Sequence, residues 1–134
     1  MRLRSTLYAL LLSAVVALPA QANEEAAPAG PQYVEMNPSF VGTIGPGPRI
    51  QYMKVDVALR ANDPTAVERI QYHDPLIRNA LVSLFGRQTP EELATLEGKE
   101  QLKQQALEAV RAVLEEEEGK PLVDDLLFTN LVTQ

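Results

Sequence analysis

The chain has 134 residues, with 12 Lys+Arg against 18 Asp+Glu, one histidine and no cysteine. That length supports one small domain with a modest core. The net charge of −6 repels nucleic-acid phosphates and anionic lipid headgroups. The lack of cysteine removes disulfides, thiol nucleophiles and thiolate metal sites.

Met1–Ala22 reads as an export signal. Arg2 and Arg4 give a positive end, Leu7–Leu18 is an uncharged run of twelve residues, and Pro19 breaks it. Ala20-Gln21-Ala22 is a small-x-small site with Ala20 and Ala22 as the cleavage residues. A spanning helix needs roughly 20 apolar residues, so the run fits a signal better than an anchor; an uncleaved anchor is the competing reading. Cleavage leaves residues 23–134 and removes two arginines, which takes the formal charge from −6 to −8. Asn23–Gln32 (NEEAAPAGPQ) is a flexible linker, too poor in large apolar residues to join a core.

Tyr33–Ile44 reads as a first strand, placed at an edge or starting after Pro38, because proline cannot donate to a ladder. Gly45-Pro46-Gly47-Pro48 is a turn. In Arg49–Ala61, Met53, Val55, Val57 and Leu59 alternate with Lys54, Asp56 and Arg60, the mark of a half-buried strand and the second arm of a hairpin. Asp63-Pro64 opens a helix to about His73, and Asp74-Pro75 opens another that ends at Gly86. Thr89-Pro90-Glu91-Glu92 has the spacing of a capping box. The short helix it starts is expected to stop at Gly98, with the longest helix running from about Lys99 to Glu118. Leu122–Thr133 reads as a final strand. Leu126, Phe128 and Val132 fall on one face and Val123, Leu127 and Leu131 on the other, which predicts a central strand or one covered on both sides. The expected fold is α+β: a small sheet of the N-terminal hairpin plus the C-terminal strand, packed against three to four helices.

The chemistry-bearing residues do not assemble into a catalytic, cofactor or metal constellation. His73 is the lone histidine and lacks soft co-ligands, so a structural or exposed role is expected. Asp124 and Asp125 are neighbours in a strand, face opposite ways and do not share one proton or ion. Glu115–Glu118 lacks the alternation of a calcium loop and sits at the unfavourable end of the helix dipole. It reads as a surface kept acidic for solubility or as a contact for a basic partner. Ser39 and Ser83 have no triad partner at a recognisable spacing. The Gly-Pro turn precedes a strand rather than a helix, which argues against a phosphate cradle. No enzymatic activity, cofactor or metal is expected.

Five stretches, in order, resemble the FliL family of flagellar basal-body proteins over about residues 33–134. Tyr33-Val34-Glu35-Met36 with Pro38, Phe40 and Val41 looks like the family's first strand, and Arg49–Leu59 like its second. Asp74–Leu81 is similar to its P-x-I-R-D-A helix start. Thr89–Leu93 followed by Gly98–Leu102 resembles its T-x-E-E-L and G-K-E-x-L segment, and Leu127–Gln134 its terminal F-T-x-F-V-x-Q strand. The resemblance implies a non-enzymatic protein on the periplasmic side of the inner membrane. It implies association with stator units of the MotA–MotB type, support of rotation, motility and chemotaxis, a fold similar to the stomatin (SPFH) domain, and assembly into homo-oligomeric rings. The resemblance does not say which residues bind partners. The chain departs from the family in its signal-like segment where a transmembrane helix is usual, in Gly42-Thr43, and in Leu131 where an aromatic is common. Membrane association then follows only if the first segment is uncleaved, and a soluble periplasmic binding or assembly module not tied to motility is the alternative.

Overall fold

A computed structural model describes residues 31–46, 48 and 50–134. The signal with Ala20 and Ala22, and the linker before residue 31, lie outside the described residues. The elements are β1 (Gln32–Ile44), β2 (Gln51–Ala61), α1 (Ala66–Tyr72), α2 (Asp74–Phe85), α3 (Pro90–Leu93), α4 (Leu96–Glu118) and β3 (Val123–Thr133). The strands form one antiparallel sheet in the order β1-β2-β3. Among the described residues the fold is α+β, with a three-stranded sheet and four helices.

β2 is the centre of the structure. Met53, Val55, Val57, Leu59 and Ala61 are all buried, as its period-two pattern requires. They meet Ile70 of α1, Ile77 and Leu81 of α2, and Leu102, Ala106, Val110 and Leu114 of α4 in one apolar cluster. The four α4 residues recur at intervals of four, the spacing that keeps side chains on one helix face. Two layers with one core between them result.

β1 lies at an edge, as Pro38 demands, and its pairing slips between Met36 and Phe40 to accommodate that proline. β3 lies at the other edge, not in the centre. Its pairing with β2 slips twice, leaving Asp124 and Thr129 without a partner opposite them. A bulge adds one residue and so exchanges the faces beyond it. Val123, Leu126, Phe128 and Leu131 therefore lie opposite Ala61, Leu59, Val57 and Val55, the core-facing residues of β2. Val132 is turned to the open face and is 37% exposed. The apolar residues that strict alternation divides between two faces belong mostly to one, and the second covering layer is not required.

Only α3 starts as the sequence spacing predicts; α1, α2 and α4 are shifted, and α1 and α2 have no side-chain cap bond. α1 begins at Ala66 rather than next to Pro64. Asp63 still acts as a local acceptor, taking hydrogen bonds of 2.7 Å from both the backbone N–H and the hydroxyl of Thr65. Asp74 is the first residue of α2, and His73 holds the cap position. The capping box is complete: Glu92 N–H donates to Thr89 Oγ1 at 3.3 Å, and Thr89 N–H donates to Glu92 Oε2 at 3.2 Å. Gly98 does not stop a helix. It lies in the first turn of α4, whose cap is Thr95, with Gly98 N–H donating to Thr95 Oγ1 at 3.0 Å. At the other end Gly119, at φ 73°, closes α4 in the left-handed conformation that glycine adopts without penalty.

Candidate interaction surface

His73 is the hinge between α1 and α2 and is only 6% exposed. Its Nε2 lies 2.8 Å from Glu118 Oε1. A carboxylate only accepts, so that nitrogen carries the proton. Arg69 Nε donates to the same oxygen, and its guanidinium lies 4.4 Å from the centre of the Tyr72 ring. The one histidine thus has a structural partner, and the last glutamate of the acidic run ties α4 to α1 and α2. Glu115, Glu116 and Glu117 remain exposed.

Arg69, and after it His73, hold the Glu118 carboxyl below the usual glutamate range near 4.5. A carboxylate depressed in the native state stabilises the fold above its unfolded pKa and stops doing so as pH falls through the native value. Glu118→Gln is therefore expected to lower Tm at neutral pH, with the difference from the parent protein vanishing in acid, where Glu118 itself becomes protonated. Thermal melts from neutral pH to below that range check this; a pH-independent difference contradicts it.

The two aspartates are separated, as neighbours in a strand should be. Asp124 Oδ2 lies 4.0 Å from Arg60 and Asp125 Oδ1 lies 3.9 Å from Lys103 on α4. Ser39 donates to Asp56 rather than to a base; that bond is the main reason the Asp56 carboxyl lies below its usual value, with Asn130 and Lys54 adding to it. Ser83 is exposed on α2. Among the described residues no group of three or more His, Cys, Asp or Glu is arranged to hold a metal ion. Nor, among them, is any helix long and apolar enough to cross a membrane.

The candidate surface is apolar. Where β1 passes the end of α2, a cavity of about 190 Å³ opens to solvent. Phe40, Ile44, Met53 and Phe85 form its buried floor, while Val41 and Val82 stand on its rim at 70% and 54% exposure. The floor is held by edge-to-face aromatic contacts, Phe40 to Phe85 at 5.3 Å and Phe85 to Phe128 at 6.0 Å. Arg78 reaches over the Phe40 ring at 4.4 Å and donates to the Pro38 carbonyl at 2.9 Å. Gly42 lines the opening, and a Cβ built there would meet no atom within 4 Å. The space exists because that side chain is missing.

None of these groove residues stands out by a motif. A different signal was present in the sequence. Residues 36–55 and 75–90, the stretches that contain the groove-lining residues, contain no Asp or Glu. Every one of the 18 carboxylates lies elsewhere. On the sheet face away from the helices, Val41, Lys54 and Val132 form one cross-strand row, and Tyr52 beside it is 58% exposed.

The chain is 27% identical over 100 residues to the flagellar protein FliL of Aquifex aeolicus (strain VF5), a match covering 75% of this chain and 60% of that protein. The chain thus spans about three-fifths of the length of that relative. The family model for the flagellar basal body-associated protein FliL matches residues 33–134, from the first strand to the last residue. The chain belongs to the FliL family.

Proposed function

We propose that this protein is a non-enzymatic accessory component of the flagellar basal body that supports stator function and rotation, and through them motility and chemotaxis. The observation that carries this reading is the family match over the whole α+β domain. The structure is consistent with it: its unpartnered features are an apolar groove and an open sheet face, which suit protein contacts, and titratable side chains such as His73, Glu118, Asp56 and Asp125 are engaged in structural contacts. The domain acts on the periplasmic side of the inner membrane, through contacts with stator units of the MotA–MotB type and with further copies of itself in a ring. The segment Met1–Ala22 delivers it there, either by cleavage after Ala22 or as a short anchor.

Deleting the gene from its flagellated host is expected to reduce swarming and motor torque, and a fluorescent fusion is expected to collect at the flagellar bases. Unchanged swimming and swarming, with no signal at flagellated poles, overturns the proposal. Fractionation with intact-mass measurement distinguishes the two forms of the first segment: a soluble protein beginning at Asn23, or a full-length membrane form.

A further inference from the structure

We propose that two copies of this chain pair through the edge of β1, antiparallel and about a twofold axis at Gly42, so that their three-stranded sheets become continuous. The inference rests on and deepens the proposed function, which requires contact between copies, by naming one such contact. A twofold contact closes on two copies, so a ring uses a second, different surface as well. The test in solution does not depend on motility.

Three observations converge on this edge. The first is where its backbone points. β1 pairs only with β2, and from Phe40 to Ile44 that pairing is free of irregularity. Tyr52 directs both its backbone groups to Gln134, at 2.7 and 2.8 Å. Hydrogen-bonded pairs alternate along an antiparallel ladder, so Gln51 and Met53 turn toward β1 and bond Ile44 and Gly42, their partners in register. Val41 and Thr43 therefore aim their N–H and C=O groups at the open side, the template for strand addition.

The second is that this short run is its own complement. Turned about a twofold axis through Gly42, Val41 lies opposite Thr43 of the second copy, so outward bonding groups meet outward bonding groups. Phe40 lies opposite Ile44 of the second copy, and both are core-side apolar residues. Gly42 then meets its own copy in a non-hydrogen-bonded pair, where Cα atoms come within about 4.5 Å, and glycine puts no side chain there. The cavity of about 190 Å³ over Gly42 lies beside the axis, so pairing covers its exposed rim residues Val41 and Val82. The third is charge. Copies of a chain of net charge −6 repel one another. The residues lining the cavity are uncharged, and the stretches 36–55 and 75–90 that contain them hold none of the 18 carboxylates. Two copies meet here without setting carboxylate against carboxylate. The other free edge, β3, is bulged at Asp124 and Thr129, a common means of preventing edge pairing.

The test uses the native protein in the form its host makes, followed by sedimentation velocity over a concentration series. A reversible shift from one chain to two is expected, with slower amide exchange at Val41 and Thr43 on association. Thr43→Pro removes an N–H that points outward and leaves the ladder to β2 complete, so the fold is retained on an edge strand; it is expected to weaken association at least tenfold. Val41→Lys, at a residue 70% exposed, sets two like charges beside the axis and is expected to act in the same direction. The chain has no cysteine, so single substitutions report contacts cleanly. Gly42→Cys, where a Cβ meets no atom within 4 Å, is expected to give disulfide-linked pairs on mild oxidation with copper phenanthroline, since about 4.5 Å between Cα atoms suits a disulfide. Val132→Cys, on the far edge strand, is expected to give few. A chain still single at about 1 mM, association undiminished in folded Thr43→Pro and Val41→Lys proteins, or pairs linked through Val132→Cys but not Gly42→Cys, overturns the proposal. So does a co-purifying polypeptide that protects the same two amides while the chain itself stays single, since the occupant is then not a second copy. A motile deletion strain with a paired protein refutes only the motor role; a motility defect with a protein that stays single refutes only the pairing.

Discussion

Replacing Leu59 by alanine is expected to cost about 3 kcal/mol of unfolding free energy. Leu59 has no exposed surface, lies in the central strand, and is flanked across the sheet by buried Val34 and Leu126. Truncation removes the transfer energy of three carbons and leaves a space that β2 cannot close, because a neighbouring strand holds it on each side. Leu→Ala costs spread over roughly 2–5 kcal/mol according to how far a site collapses, and rigid sites lie above the bottom of that range. A domain of this size has about 5–15 kcal/mol in total, so the variant should unfold at markedly lower urea. Val132→Ala is the companion measurement. That residue is on the open face at 37% exposure and should change stability by less than about 0.5 kcal/mol. A Leu59→Ala loss below about 1 kcal/mol would show that the core does not centre on β2.

Gly98→Ala is expected to destabilise the domain by about 2 kcal/mol, although helix propensity argues for a gain. Within a helix, alanine is favoured over glycine by about 1 kcal/mol, and Gly98 lies in α4. A Cβ at this position would stand 1.6 Å from the carbonyl oxygen of Glu92 and 2.7 Å from its carbon. Those are backbone atoms of α3, fixed by both hydrogen bonds of the capping box and by the buried side chain of Leu93. Relief requires α3 to move away from α4, which loosens the cap, worth about 1 kcal/mol, and strips contacts from Leu93. Steric strain exceeds propensity, and denaturant unfolding gives the sign directly. A Gly98→Ala protein as stable as its parent would mean that α3 is free to shift.

Gly98 also shows where a sequence stops being informative. Its residue type signals a break, and its sequence position makes a helix end plausible. The actual requirement is a close approach between two backbones, which depends on how α3 folds against α4. The strands of the hairpin were legible because Pro38 and the alternation from Met53 to Leu59 are local signals with one physical meaning. The capping box was legible for the same reason, since Thr89 and Glu92 satisfy each other within four residues. β3 was legible as a strand, but its sidedness was not. Strict alternation assigns Leu131 to the wrong face, because no residue in LLFTNLVT announces that Thr129 is left without a partner. His73 and Glu118 are 45 positions apart and meet only through tertiary packing. The groove was the least legible feature of all. It depends on the absence of a side chain at Gly42, and its one trace in the sequence is a pair of long stretches without carboxylates.

The bulges in β3 also make that strand behave like text read in more than one frame. Each bulged residue shifts the frame by one, and the core reads Val123, Leu126, Phe128 and Leu131 across two such shifts. Losing Thr129 itself would merge the last two frames and leave the residues from Asn130 onward opposite their present partners. Losing Leu127, inside the middle frame, would pull either Leu126 or Phe128 out of the core. Length changes in this strand are therefore tolerated at two defined points, and a comparison of relatives that places its gaps elsewhere in β3 pairs residues that face opposite sides of the sheet.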